Sequence, residues 1–418
     1  MAATRSAYTR REFLRLTGAG LGGLVVLSAC GSSGSGSSTT VTFGAAVSLT
    51  GSLSQEGGLT KDGYTFYKDW VNAHGGLNVG GKTYQIDLKL YDDQSNPTQS
   101  AQLFQKLISE DKINHLLGPY GTDATLQSAV ISEKYQIPMV EGNGAATSIF
   151  SKGYKYIFGV LTPAPQYLKG VIDALLEANP APKTLAIISD NDDFSVEVGK
   201  GVADYATSKG MQVVADQQIP ATSTDVTSVL TGIKAKNPDV LLGSGHFNTS
   251  VLIMKTCRSI GLSAKAYGFS VGPSVPDFKT SLGDAANDVF GGTQWTKDLS
   301  YQDALFGTAQ DFNDNFNKQF KYEPDYHVAE STAACYALHL AIEAAKSLDP
   351  QKVRDALVSL DTMTFYGQIK FDSTGKNIYK PMAAEQWQNG TKVTVWPQAA
   401  AKVKPAYPAP PWDKRPSA

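Results

Sequence analysis

The segment Gly268-Phe269-Ser270-Val271-Gly272 has the G-x-S-x-G spacing that presents a serine nucleophile on a tight strand-to-helix turn. Asp325, followed by His327 or His339, would supply the acid and base in the matching order. The chemistry would be acyl transfer. That turn needs a helix to start directly after the serine, and Pro273 and Pro276 remove donors there and bias their neighbours away from helix. Asp325 and His327 are also too close in sequence to come from separate converging loops. The five histidines (74, 115, 246, 327 and 339) include no H-x-x-x-H pair, and there is no C-x-x-C, so no metal site is expected. Gly18-Ala19-Gly20-Leu21-Gly22-Gly23 has dinucleotide-binding spacing, but no strand precedes it. No cofactor is expected.

A different chemistry is written at the start of the chain. Residues 9–30 read TRREFLRLTGAGLGGLVVLSAC. The apolar run is shorter than the ~20 residues that cross a hydrocarbon core. A basic start, a short apolar centre and small residues before a cleavage point make a secretory signal over residues 1–29. Arg10 and Arg11, within TRREFL, resemble a twin-arginine export signal. Leu27-Ser28-Ala29-Cys30 resembles a bacterial lipobox, in which Cys30 would carry the lipid. Two acyl chains anchor a protein firmly where one does not. Residues 31–40, GSSGSGSSTT, have linker composition. The expected location is the extracytoplasmic face of the cell membrane, with the protein tethered there.

Composition narrows the partners. The whole chain carries a net charge of −2, and residues 1–29 hold four arginines and one glutamate, so the remainder carries −5. Without a basic stripe, nucleic acid is excluded as a partner. The remaining ~390 residues exceed what one core usually holds. Cys257 and Cys335 lie in helical patterns and are expected as buried thiols rather than a disulfide.

The elements that must position any site alternate. Strands are expected at 41–49, 84–93, 115–120, 138–142 and 156–160, with helices over 59–73, 97–110 and 123–136. A second series follows at 185–190, 211–219, 240–245 and 264–270, again separated by helical patterns. Twofold βαβα alternation predicts an α/β protein of two doubly wound lobes with mainly parallel sheets. Nearly unbroken helix is expected from Asp303 to Leu360, then hairpin strands over 367–396 turning at Asn389-Gly390. A Pro-rich tail occupies 399–418. In such sheets a ligand lies beyond the carboxyl ends of the strands, and two facing edges make a cleft that closes by a hinge.

From Val41 to about Trp396 the chain resembles the type I periplasmic binding proteins of ABC transporters, in their leucine/isoleucine/valine and amide-binding group. LTGSLSQEG (49–57), the YDDQSNP segment (91–97), LLGPYGTDAT (116–125), IPMVEGNGAAT (137–147) and AIISDNDDFSVEVGKGV (186–202) carry the resemblance. It implies three inter-lobe crossovers, with one lobe formed by 41–161 and 293–368 and the other by 162–292 and 369–398. It implies a non-enzymatic monomer that binds a small-molecule ligand and delivers it to ABC permease transmembrane subunits. A ligand-sensing receptor domain would share this fold.

Carried over position by position, the resemblance places Ser54, Gln55 and Glu56 at the cleft rim. It places Tyr120, Gly121 and Thr122, with Asn143, Gly144, Ala145 and Thr147, around the ligand's carboxylate. A helix N-terminus beside Thr122 suits an anion, although Thr122 or Asp123 could equally cap that helix. In the second lobe it implies Phe194, His246 and Ser270 as ligand residues, with Trp295 near a crossover. One departure matters. The acid that meets the ligand's ammonium in relatives falls near Ser270, where this chain reads Gly-Phe-Ser-Val. Glu56, Asp123, Glu141 or Asp193 would have to replace it, or the ligand is an aromatic carboxylate, amide or urea-type compound rather than an amino acid.

Overall fold

The computed structural model describes residues 39–415, so Arg10, Arg11 and Cys30 lie outside the described residues. The first series of elements is β1 (Thr40–Val47), α1 (Ser54–Ala73), β2 (Leu77–Val79), β3 (Lys82–Asp92), α2 (Pro97–Ser109), β4 (Leu116–Leu117), α3 (Thr122–Tyr135), β5 (Met139–Glu141) and β6 (Ile157–Gly159). They build one sheet in the order β2-β3-β1-β4-β5-β6, parallel apart from β2. The second series is α4 (Lys169–Leu176), β7 (Thr184–Asp190), α5 (Asp193–Ser208), β8 (Gln212–Ile219), α6 (Thr227–Lys234), β9 (Val240–Ser244), α7 (Phe247–Ile260), β10 (Ala266–Phe269), α8 (Asp277–Leu282) and β11 (Val289–Thr293). Strands β8-β7-β9-β10-β11 are parallel, and two C-terminal strands extend that sheet antiparallel. The expected two doubly wound lobes are present.

Local chemistry explains the boundaries. Asn96 accepts from the N–H groups of Thr98 and Gln99 at 3.0 and 3.1 Å, and Pro97 needs no donor at the first helical position. Asn389 and Gly390 both have positive φ (51° and 79°), as the predicted hairpin turn requires.

Residues 303–360 differ from the expected long helix. They begin with the small hairpin β12 (Gln302–Asp303) and β13 (Gly307–Thr308), followed by α9 (Ala309–Phe320), α10 (Tyr326–Ala345) and α11 (Pro350–Val358). The Asp303 carboxylate accepts from Leu305, Phe306 and Phe365 N–H groups, which turns the chain before a helix can start. Lys321 and Lys346 end α9 and α10 with φ of 68° and 50°, a stop that no glycine announces. Strand β14 (Asp361–Thr364) pairs with β15 (Gly367–Lys370) as a separate hairpin, and only β16 (Ala383–Gln388) and β17 (Thr391–Trp396) join the second sheet. The 369–382 stretch therefore stays beside the first lobe, where Gly159 bridges Lys376 and the Asn377 amide donates to Val160.

The core of the first lobe is α1 packed on α10. Tyr64, Phe66 and Tyr67 of α1 are fully buried, and Tyr67 hydroxyl meets His339 Nδ1 at 3.0 Å. The helices approach closely at Gly63, where an added Cβ would lie 2.6 Å from Val328 O and 2.8 Å from Ser331 Cβ. Backbone cannot yield there as a flexible side chain can. Gly63→Ala is expected to destabilise the protein by roughly 1–3 kcal/mol, the usual range for overpacking, as read by chemical denaturation.

Candidate functional site

The carboxyl ends of the parallel strands in the two sheets face one another. From the first lobe, Tyr120, Gly121 and Thr122 follow β4 and Asn143 follows β5. From the second, Phe194 follows β7, while His246 and Val271 follow β9 and β10. With Tyr167, Tyr326, His327 and Glu330 they line a cavity of ≈ 10 Å³, room for about one water. A second space of ≈ 140 Å³ lies against the same Tyr120–Thr122 turn and His246, and is bounded further by Asp123 and Asp192.

Bonds across the cleft hold the lobes together around this cavity. Tyr120 hydroxyl lies 3.1 Å from His246 Nδ1. Phe247 N–H donates to Glu56 Oε1 at 2.8 Å, and the Asn248 amide donates to Ser52 O at 2.9 Å. The Glu197 carboxylate accepts from Thr147 N–H and hydroxyl (2.7 and 2.8 Å) and from Ser148 N–H (3.2 Å).

These positions sort the expected ligand residues. Tyr120, Gly121, Thr122, Asn143, Phe194 and His246 come together at the cavity. Glu56 and Thr147 act in the bonds between lobes instead. Ser54 and Gln55 are in the first turn of α1, which starts earlier than expected, and line an outer groove of ≈ 390 Å³ with Val275 and Pro276. Gly144 is spent locally, its N–H donating to Glu141 at 2.6 Å, and Ala145 is buried with its carbonyl accepting from Ala164 N–H. The Thr122 hydroxyl accepts from Ala146 N–H at 3.2 Å, and Gly121 rather than Thr122 or Asp123 is the cap of α3. Ser270 Oγ bonds the N–H and carbonyl of Gly245, both at 3.2 Å, so its hydroxyl holds β10 to β9. Trp295 is a core residue whose ring N–H donates to Phe365 O.

Sequence reasoning missed Tyr167, Tyr326 and Glu330, and weighed His327 only as the base of a hydrolase. One signal was available. Every residue from Tyr326 to His339 is buried, and Glu330 stands in that small-residue and apolar run without a lysine or arginine one turn away. A charge there needs a reason.

Acids dominate the electrostatics. Burial pushes Glu330 well above the usual carboxylate range, with Asp325 and Glu141 adding to the rise and Lys380 opposing it. Burial also raises Asp123, helped by Asp192 and Asp193, and raises Asp190. His246 sits between Glu56 and Asp192, each 4.0 Å from a ring nitrogen, while His327 Nδ1 is 2.5 Å from Asp325. Both buried cysteines are free thiols. Among the described residues no group of His, Cys, Asp or Glu could hold a metal ion, and no helix is long and apolar enough to cross a membrane.

A family profile described as periplasmic binding protein matches residues 40–392. The chain belongs to the periplasmic binding protein family. Membership carries an extracytoplasmic location and a solute-binding role. Among curated relatives, Leu/Ile/Val-binding protein homolog 8 of Brucella abortus is 26% identical over 382 residues, spanning 87% of this chain and 92% of that protein. Homolog 7 from the same organism is 24% identical over 384 residues, spanning 87% and 93%. Among solved structures, a branched-chain amino acid transporter substrate-binding protein of Streptococcus pneumoniae in complex with isoleucine superposes with a TM-score of 0.74 at 21% identity, covering 85% of this chain and 98% of that one. An ABC-transporter solute-binding protein of R. palustris in complex with benzoate gives 0.72 at 20% identity, covering 87% and 97%.

Beneath the cleft, Glu141 gives a pH prediction. Its Oε2 accepts from Asn143 and Gly144 N–H groups, its Oε1 has no partner, and burial raises its pKa to about 8 from 4.5. The folded state keeps this proton where the unfolded chain has lost it. The stabilisation is full below about pH 4.5 and fades as pH rises through about 8. Glu141→Gln should flatten that slope by on the order of a few kcal/mol in denaturation curves collected from pH 4.5 to 8.5.

Proposed function

We propose that this chain is the extracytoplasmic substrate-binding lipoprotein of an ABC importer, closing its lobes on a small polar ligand of the amino-acid class. It is a carrier and not an enzyme. The observation that carries this reading is the pair of adjoining spaces, ≈ 10 and ≈ 140 Å³, where the strand ends of both sheets meet, spanned by the Tyr120–His246 contact. The likeness to Leu/Ile/Val-binding homologs supports the ligand class. A second reading, an aromatic carboxylate, has one observation in its favour, the aromatic lining shared by Tyr120, Tyr167, Phe194 and Tyr326. After capture the ligand passes to permease transmembrane subunits, with Cys30 holding the carrier at the membrane as a monomer exported through Arg10 and Arg11.

Two experiments test this. Thermal unfolding should respond to one ligand class among amino acids, aromatic acids, amides and ureas. Ligand at a hundred times its Kd adds about 2.7 kcal/mol, a rise of roughly 2–4 °C at this size. Replacing Thr122 and Phe194 together with alanine should weaken that ligand at least about tenfold, on the order of 1.4 kcal/mol; unchanged affinity would reject the site. Separately, Cys30→Ser should move the protein from the membrane fraction to the soluble fraction without lowering its ligand affinity.

A further inference from the structure

Six aromatic rings form a closed circuit around the cavity. Centroid separations run Tyr120–His246 5.8 Å, His246–Phe194 5.7 Å, Phe194–Tyr167 5.0 Å, Tyr167–Tyr326 6.4 Å, Tyr326–His327 4.0 Å and His327–Tyr120 5.7 Å. Tyr120, Tyr326 and His327 belong to the first lobe, and Tyr167, Phe194 and His246 to the second. The ring of rings therefore exists only when the lobes meet.

Glu330 lies one helical turn beyond Tyr326 and contributes to the same lining. Its Oε2 accepts from Tyr366 hydroxyl at 3.3 Å. On the other side of His246 stand Glu56 and Asp192. Neither lysine nor arginine lines the cavity. The one buried lysine nearby, Lys380, gives its protons to the carbonyls of Gln294 and Tyr366, and His327 is taken by Asp325.

The two kinds of wall point the same way. The faces of Tyr120, Tyr167, Tyr326 and Phe194 carry negative potential and attract a cation, more strongly when water is excluded, and the two histidines complete the wall. A carboxylate brought here would instead meet Glu330, Glu56 and Asp192 with no fixed positive side chain to offset its desolvation. A cation would be enclosed by rings and would meet a counter-charge.

We propose that the cavity is a cation cage that holds the ammonium group of an organic ligand against Glu330, within the six rings. The assignment rests on the solute-importer reading and deepens it. Glu330, reaching in from helix α10, takes over the work of the acid that is missing between Gly268 and Val271. Because the cage is completed by both lobes, an ammonium ion favours the closed form over the open one. Two sources share this chemistry, an α-amino acid and an amine that has no carboxylate.

The test is calorimetric titration of the full chain with leucine, isobutylamine, choline, isovalerate and benzoate. At least one ammonium probe should bind about 100-fold or more tightly than isovalerate and benzoate. Leucine ahead of isobutylamine and choline identifies an amino acid, and the reverse order identifies a carboxylate-free amine. Glu330→Gln should cost the ammonium probe about tenfold to 100-fold and shrink its lead over isovalerate. Phe194→Leu, which removes one wall and leaves Glu330 in place, should weaken the same probe several-fold, and it carries the test if Glu330→Gln does not fold. Isovalerate or benzoate binding as tightly as the amines, or full ammonium affinity in folded Glu330→Gln, would overturn the cage while leaving the importer reading intact. Silence from all five probes would overturn the cage, and the importer reading would then rest on the thermal screen with amides and ureas.

Discussion

The chain passes between its lobes three times, and the three passages are tied to one another by side chains. Thr162 N–H donates to Gln294 Oε1 at 3.0 Å, and the Gln294 amide returns a bond to Thr162 O at 3.1 Å. Thr162 hydroxyl donates to Lys380 O at 2.5 Å, and the Lys380 ammonium donates to the carbonyls of Gln294 and Tyr366. Each group would cost about 1–3 kcal/mol if buried without a partner. The bonds run from one crossing to the next rather than over the cleft. Rotation of the lobes can therefore turn about this knot without breaking it. Lys380 illustrates the constraint: burial lowers its pKa to about 7, yet its position 3.6 Å from the Tyr366 ring centroid and its two carbonyl acceptors keep it in place.

By contrast, the bonds that hold the cleft shut are few, and several lie at its exposed rim. Thr147 and Asn248 are exposed, so their bonds to Glu197 and Ser52 compete with water. Each such bond contributes about 0.5–1.5 kcal/mol at most. The hinge is thus tied by buried bonds, while part of the latch lies where water can replace it. A ligand that contacts both lobes favours the closed form by its difference in affinity for the two.

Much of this was legible in the sequence, for reasons that also mark where legibility ends. Alternating strands and amphipathic helices gave both lobes, whereas Tyr120, Asn143, Phe194 and His246 came from the resemblance to a known family, at positions that the structure shows to follow strands of the two sheets. Tyr167 follows a crossing and Tyr326, His327 and Glu330 belong to a helix, so no strand end points to them. The helix boundaries in 303–360 were hidden because Lys321 and Lys346 adopt left-handed backbone without glycine, while the Asp303 turn depends on Phe365, far along the chain. Ser270 shows the opposite error. The resemblance implied a ligand role for a hydroxyl that the structure shows joining two neighbouring strands through Gly245.

Glu330 connects the cavity to the knot between lobes. Tyr366 hydroxyl is 3.3 Å from Glu330 Oε2 and 3.4 Å from Gln294 Oε1, and Gln294 is the residue that binds both Thr162 and Lys380. Two hydrogen bonds thus separate the acid that faces the ligand from the chain crossings. In a low-dielectric interior such a chain is polarised as a unit, and a change of charge at one end alters the bonds beyond it. The Glu330 carboxyl is held above its ordinary pKa chiefly by burial, so a positive group entering the cavity would draw it towards the charged state. The cavity and the chain crossings are in this way joined in one hydrogen-bonded network through Tyr366.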